Sequence, residues 1–432
     1  MLKIKTRKTQ LQLLFNTLLF TMLIPLASAD DYHNNNMLIG DRASGLAGAY
    51  VSISDDPSGL YYNPAGVVYS IASNISANMN AYNYSRTEYK NALGGQPWIR
   101  YSSGLVPNFF GITQPFGPGI LGFSYAVTDY TQEDQSQTFN DIPSAGTRFV
   151  INFNNQDTTN NIGPSYAISV NDKLSIGITL YGYARSQKLI VNQSFDFPQV
   201  SVTDTNTNTT KSIDHFDEEN EYLTRKEYGI KPILGIMYSP MEKISLGLSL
   251  SKVFLLQSSY NRQNTIATNY CSSNTNKLCT DAQFLRTTIT SDIKRTIPWQ
   301  LNAGATWFVN SKMLLTSSLW IYQAIYDTTR PLVNAAGGLE YYFTGKWAMR
   351  MGAYTNMANT PYLDANKIKN ANEHVNIVGA TFSISHFTRT SSLTLGAVGN
   401  YGRGNAQILG NASIQNVVYM GASVFISASN SF

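Results

Sequence analysis

Between Ile71 and Tyr84 the odd positions Ile71, Ile75, Ala77, Met79 and Ala81 are apolar, while the even positions Asn74, Ser76, Asn78 and Asn80 are polar. Successive side chains on an extended chain point to opposite faces, so this run predicts a strand with one greasy and one wet face. The same period-two pattern returns further along. Leu121, Phe123, Tyr125 and Val127 alternate with Gly122, Ser124, Ala126 and Thr128. Leu174, Ile176, Ile178 and Leu180 alternate with Ser175, Gly177, Thr179 and Tyr181, and Ile244, Leu246, Leu248 and Leu250 with Ser245, Gly247 and Ser249. In a soluble sheet the wet face looks to bulk water; in a barrel it looks into the lumen.

The connections choose between these. Short turns are predicted at Pro115 to Gly119, Asn171 to Lys173, Ser239 to Lys243, Asn310 to Lys312, Thr344 to Lys346 and Thr388 to Ser391. Between them lie longer polar segments: Ser85 to Gly104, Tyr130 to Asn160, Asn192 to Lys226, Gln257 to Thr296, Asp327 to Arg330, Ala358 to Asn372 and Arg403 to Ser413. Six short and seven long connections alternate, and thirteen connections join fourteen strands. An even strand count with both chain ends on the short-turn side is the outer-membrane pattern of tight periplasmic turns and long outer loops. The expected fold class is all-β, a 14-stranded antiparallel transmembrane β-barrel. Its last strand carries Val418, Met420, Ala422, Val424, Ile426 and Ala428 on one face and closes on Phe432. A terminal Phe after an alternating strand resembles the signal read by the barrel-assembly machinery.

The start of the chain reads as a targeting segment. Lys3, Lys5, Arg7 and Lys8 form a basic region, Leu11 to Leu26 an apolar core, and Ala27-Ser28-Ala29 an A-x-A cleavage site, so residues 1–29 are expected to be a signal peptide. The formal charge of +4 rests on those four basic residues, which leaves the mature chain neutral. The basic balance is therefore no argument for a nucleic-acid partner. Charged residues are sparse at 13%, whereas 27 Tyr and 20 Phe accompany many Asn and Ser, a mixture suited to a lipid face, a polar lumen and aromatic girdles. The two cysteines, Cys271 and Cys279, sit in a polar stretch and suggest a local disulfide after export, since no nearby His or third Cys completes a metal set.

Ahead of the strands runs Gly40-Asp41-Arg42-Ala43-Ser44-Gly45-Leu46-Ala47-Gly48-Ala49-Tyr50, then Asp55-Asp56-Pro57-Ser58-Gly59 and Tyr61-Tyr62-Asn63-Pro64-Ala65-Gly66. Ala43, Leu46, Ala47 and Tyr50 have the spacing of one helical face, and Pro57 and Gly59 stop any helix. This series resembles the N-terminal signature of the FadL/TodX family of outer-membrane transporters for long-chain fatty acids and other hydrophobic compounds, with Asn63-Pro64-Ala65 matching its most recognisable tripeptide. The resemblance implies that residues 30–66 are a hatch plugging a barrel of residues 67–432. It also implies passive uptake of a hydrophobic ligand, long-chain fatty acid first, in the outer membrane of a Gram-negative bacterium, with lateral release through a wall kink. Gly122, Pro164 and Pro232 are candidates for that kink. A monomer without cofactor, surrounded by outer-membrane lipid, is expected. A polar-solute porin and an adhesin or receptor acting through its outer loops remain as alternatives.

Candidate site residues follow from parity. A fatty-acid carboxylate inside a barrel needs a cation in a partly dry place, and Arg185, Lys231 and Arg350 fall on lumen faces. Glu340 lies opposite Arg350 across the Thr344–Lys346 turn, so a cross-strand ion pair is the competing role for Arg350. Arg42, Asp55 and Asp56 are expected to pair with the barrel wall. Phe109, Phe110, Trp320 and Tyr322 are candidates for an acyl-chain surface, as the resemblance implies apolar lumen side chains. No catalytic set is apparent. Of the histidines, His33 and His215 lie in the N-terminal tail and a loop, and His374 and His386 near opposite ends of one strand, with no serine singled out beside them. The run Asp214 to Glu219 lacks the spacing of a calcium loop and reads as solvated loop.

Overall fold

The computed structural model describes residues 33–34, 36–70, 73–142, 146–204, 208–268, 283–325, 329–363, 373–408 and 414–432. The predicted signal peptide, residues 1–29, and the predicted Cys271–Cys279 pair lie outside the described residues.

The strands are β1 (Asn74–Leu93), β2 (Gln96–Phe116), β3 (Gly119–Ile142), β4 (Gly146–Asn171), β5 (Leu174–Asp204), β6 (Thr209–Met241), β7 (Ile244–Ser251), β8 (Phe254–Thr268) and β9 (Gln283–Ser291). They continue as β10 (Gln300–Asn310), β11 (Met313–Tyr322), β12 (Leu332–Thr344), β13 (Trp347–Asn356), β14 (His374–Phe387), β15 (Ser391–Ala406) and β16 (Gln415–Ser431). Fourteen of them form a closed antiparallel barrel, sealed where β16 pairs with β1. Closure leaves no edge strand in the barrel, so backbone groups are satisfied within the wall wherever the ladders run. The remaining two, β8 and β9, form a hairpin stacked on the outer part of β6.

Burial follows the sequence alternation. In β14, His374 apart, buried and exposed residues alternate from Val375 to Ile384, and in β7 Leu246, Leu248 and Leu250 are exposed while Ser245, Ser249 and Ser251 are buried. An exposed apolar belt of Leu, Ile and Phe is a lipid-facing surface, because in water it would be an association liability. The six predicted short turns are all present.

The outer connections differ from the expectation of long polar loops. β1 and β2 run on to a two-residue turn at Gly94-Gly95, and β3–β4 and β5–β6 pair along most of the segments read as loops. The run Asp214 to Glu219 is likewise part of β6 rather than a loop. Enough Thr, Tyr, Phe and Val alternates in these segments to keep an apolar face, and that face is buried. Tyr89, Trp98, Phe139, Phe149, Phe153 and Leu189 belong to a core closing the outer end of the barrel.

Candidate ligand channel

The N-terminal segment occupies the lumen. It contains α1 (Asp41–Gly45), α2 (Gly59–Tyr62) and a 3-10 turn at Pro64–Tyr69, and it extends to Ser70, four residues past the expected boundary at 66. The predicted helical face breaks early because Ala47 and Gly48 both take positive φ, yet Ala43, Leu46, Ala47 and Tyr50 are all fully buried.

The polar face of the strands meets the carbonyls of this segment. Asn78 Nδ2 donates to Gly40 O (2.6 Å), Asn108 Nδ2 to Leu38 O (2.7 Å), Thr179 Oγ1 to Leu60 O (2.7 Å), Ser249 Oγ to Tyr62 O (2.8 Å) and Thr381 Oγ1 to Gly45 O (2.8 Å). Irregular backbone inside a barrel must find partners there, and the wall hydroxyls and amides supply them. Asn63 makes three side-chain hydrogen bonds here. Its Nδ2 donates to Val51 O (2.8 Å) and Ile236 O (3.0 Å), while its Oδ1 accepts from Ala65 N (3.2 Å), with Pro64 opening the 3-10 turn. The Asn-Pro-Ala tripeptide thus ties the segment to β6 and caps its own turn.

Wall glycines let the segment press directly on the sheet. A Cβ on Gly177 would come within 2.6 Å of Ala65 N and Pro64 C, and one on Gly352 within 2.7 Å of Ala47 Cβ. Gly122 belongs to this seat: it is paired on both sides, with Thr113 and Ser165, and its face holds Leu60. It does not interrupt the pairing of β3. Pro164 leaves a local gap between the pairs Ile162–Gly182 and Ser165–Thr179, and Pro232 sits where β6 changes partner from β7 to β8.

The longest interruption in wall pairing lies elsewhere. β2 and β3 are paired only from Phe109–Ala126 down to Phe116–Gly119. Above that level side chains bridge the seam: Tyr101 N donates to Gln135 Oε1 (2.7 Å), Ile99 N to Gln137 Oε1 (3.1 Å) and Gln132 N to Ser102 Oγ (3.0 Å).

The predicted site cations separate into three fates. Arg350 is held by Glu340 (Nε to Oε1, 3.0 Å), its register partner, with Ser385 Oγ accepting from Nη1 at 2.6 Å. Glu340 also pairs with Arg42 at 2.6 Å, and Arg42 with Asp55 at 2.7 Å, so Arg350 anchors the N-terminal segment. Arg185 is buried against Asp157 at 2.6 Å. Lys231 alone faces no carboxylate among the described residues; its Nζ lies 4.7 Å from the centroid of the Tyr61 ring.

Lys231 and Trp320 line one internal cavity of about 30 Å³ together with Met37, Leu38, Tyr61 and Asn302. Tyr322 packs beside Trp320 and Leu38. Phe109 sits lower, in the core around Tyr50 and Tyr62. Phe110 departs from the expectation: it is 41% exposed on the lipid face. Asn108 is an extra residue in the β1–β2 register, so Asn108 and Phe109 both turn inward and parity is reset at Phe110. Above this cavity, across Tyr354, lies a polar one of about 130 Å³. Arg100 crosses its top, paired with Glu133 at 2.6 Å and 3.5 Å from Glu373, while Tyr89 donates to Glu373. No local sequence pattern marks this cage, because its members come from β1, β2, β3 and the residue before β14.

No protein-family model and no curated relative matches the sequence. Solved structures do. A Pseudomonas aeruginosa FadL homologue superposes with a TM-score of 0.59 at 12% identity, covering 94% of this chain and 100% of that one. The P. putida toluene transporter TodX gives 0.60 at 11% identity over 92% and 99%, and the Ralstonia pickettii toluene transporter TbuX 0.54 at 13% over 92% and 99%. This is the FadL/TodX barrel fold. On the FadL/TodX framework the N-terminal segment holding Asn63 stands in the lumen of the barrel, and Lys231 and Trp320 face the cavity beside it.

Proposed function

We propose that this protein is an outer-membrane channel of a Gram-negative cell for passive uptake of hydrophobic small molecules with an anionic head, long-chain fatty acids foremost. The observation that carries the reading is Lys231, an ammonium without a carboxylate partner among the described residues, on the wall of an internal cavity it shares with Trp320, Tyr61 and Leu38. A cation kept apart from acids in a partly dry place is a site for an incoming anion, and the apolar surface beside it suits an acyl chain. The cavity is small at rest, so ligand entry requires the N-terminal segment to yield. The β2–β3 seam is the exit that fits best, because it is closed by side-chain bridges instead of a backbone ladder.

Lipid extraction and native mass spectrometry of the purified protein test this, comparing wild type with Lys231→Met. Fatty acid that co-purifies and falls about tenfold in the variant supports the assignment, since a charge-assisted contact is worth that much. Fatty acid retained equally by both removes Lys231 from the site. A lumen empty of lipid in both argues against the channel reading.

A further inference from the structure

On the lipid face, β12 to β16 carry an unusual patch. Ala335, Gly337, Ala353, Ala380 and Gly399 are small where the neighbouring belt is Leu, Ile and Phe, and they floor an open apolar groove of about 840 Å³. A Cβ on Gly399 would meet nothing within 4 Å. Beneath it β13–β14, β14–β15 and β15–β16 are paired throughout, and where the β12–β13 ladder ends at Ala336–Tyr354 the Thr355 hydroxyl accepts from Ala335 N at 2.9 Å, so the groove is a docking surface and not a passage.

The groove ends at Tyr401 and Met420, and the surface beyond that end is basic and aromatic. Arg403 points outward on the same face of β15 as Gly399, four residues on and about 13 Å toward the outer end. Its Nε donates to the Tyr401 hydroxyl, and its guanidinium lies 5.3 Å from that ring's centroid. Across β16, Met420 is the register partner of both Tyr401 and Arg86, which puts Arg86 about 10 Å from β15. Arg86 is paired with Glu88 at 2.7 Å, and Glu88 is level with Arg403 through Val418, so two arginines stand against one acid and the cluster carries a net positive charge. Tyr82, Tyr84 and Tyr101 continue the aromatic level beside them.

We propose that this face binds one phosphorylated glycolipid of the outer leaflet, its acyl chain in the small-residue groove and its phosphate on Arg403, with Arg86 as second donor. The arrangement fits that chemistry because the groove ends at the height where the aromatic girdle marks the headgroups. A guanidinium held over a tyrosine is pre-oriented for bidentate phosphate contact. The proposal rests on the outer-membrane reading above, but not on the ligand in the lumen.

The test is native mass spectrometry of the full-length mature barrel in detergent with diphosphoryl hexa-acyl lipid A or phosphatidylglycerol added. Wild type is expected to keep lipid A at collision energies that strip phosphatidylglycerol. Arg403→Ala with Arg86→Ala, and separately Gly399→Phe, are expected to lower that retention about tenfold while heat-modifiable migration stays normal. Equal retention of both lipids by wild type, or unchanged retention in the folded variants, would overturn the proposal and leave an annular lipid only. Fatty acid in the same spectra reports separately on the lumen.

Discussion

Arg42 reaches across from the N-terminal segment to place Nη2 2.6 Å from Oε2 of Glu340 on β12. Glu340 is fully buried and shares its other oxygen with Arg350, so one carboxylate bridges a cation of the N-terminal segment and one of the wall. Glu340→Gln leaves two buried guanidinium groups competing for Asp55 and Asp41. A loss of about 3 kcal/mol is expected, seen as a lower midpoint for heat-modifiable migration in detergent and more frequent openings in planar bilayers. Wild-type values for both would show that the network does not hold the segment.

Asn63 gives a ranked pair of variants. Alanine removes the donor to Val51 O and Ile236 O, whereas aspartate turns an oxygen toward those same carbonyls. Asn63→Asp is therefore expected to destabilise the seat more than Asn63→Ala, each by about 1–3 kcal/mol. The order of the two melting midpoints decides the point.

Gly177→Ala sets a methyl against the backbone of Pro64 and Ala65, which cannot move aside as a side-chain tip does. Increased protease access to the N-terminal segment is expected. Gly345→Ala, at a turn where a Cβ meets nothing within 4 Å, is the matched control and should leave access unchanged.

Asp56 supplies a pH dependence. Burial, and then the neighbouring Asp55 charge, raise its pKa from 3.8 to about 6, although Ser58 donates to it from N at 2.7 Å. Between those values the folded segment binds more protons than the unfolded one. Its contribution is thus fully present below about 3.8 and is lost as pH rises through about 6. The seat should be firmer at pH 5 than at pH 7.5 by hydrogen exchange of Ser58 and Gly59. Asp56→Asn should flatten that difference, and an unchanged slope in the variant would assign it to another group.

Much of the barrel was legible because lipid outside and a polar lumen inside force period two on every strand. The Glu340–Arg350 pairing could be read from turn geometry alone, since cross-strand register follows once a tight turn is placed. What local reasoning missed depends on single irregularities or on distant partners. One extra residue, Asn108, turned Phe110 to the lipid. The outer hairpins looked like loops because their buried face is covered only by one another, as where Trp98 packs on Phe153. Arg185 looked like a free lumen cation, and its partner Asp157 lies one strand back in a stretch of amides and hydroxyls with no local signal. Lys231 was placed correctly on the lumen face by the same parity.

The glycines under the N-terminal segment carry a consequence for how much sequence the fold demands. A seat of this kind is specified by missing atoms: backbone rests on backbone wherever Gly177 or Gly352 withholds a side chain. Such a fit records almost no side-chain identity, so two barrels can keep the same internal docking while the rest of their residues drift. The fold shared with the solved structures at about one residue in eight alike is compatible with a seat specified in this way.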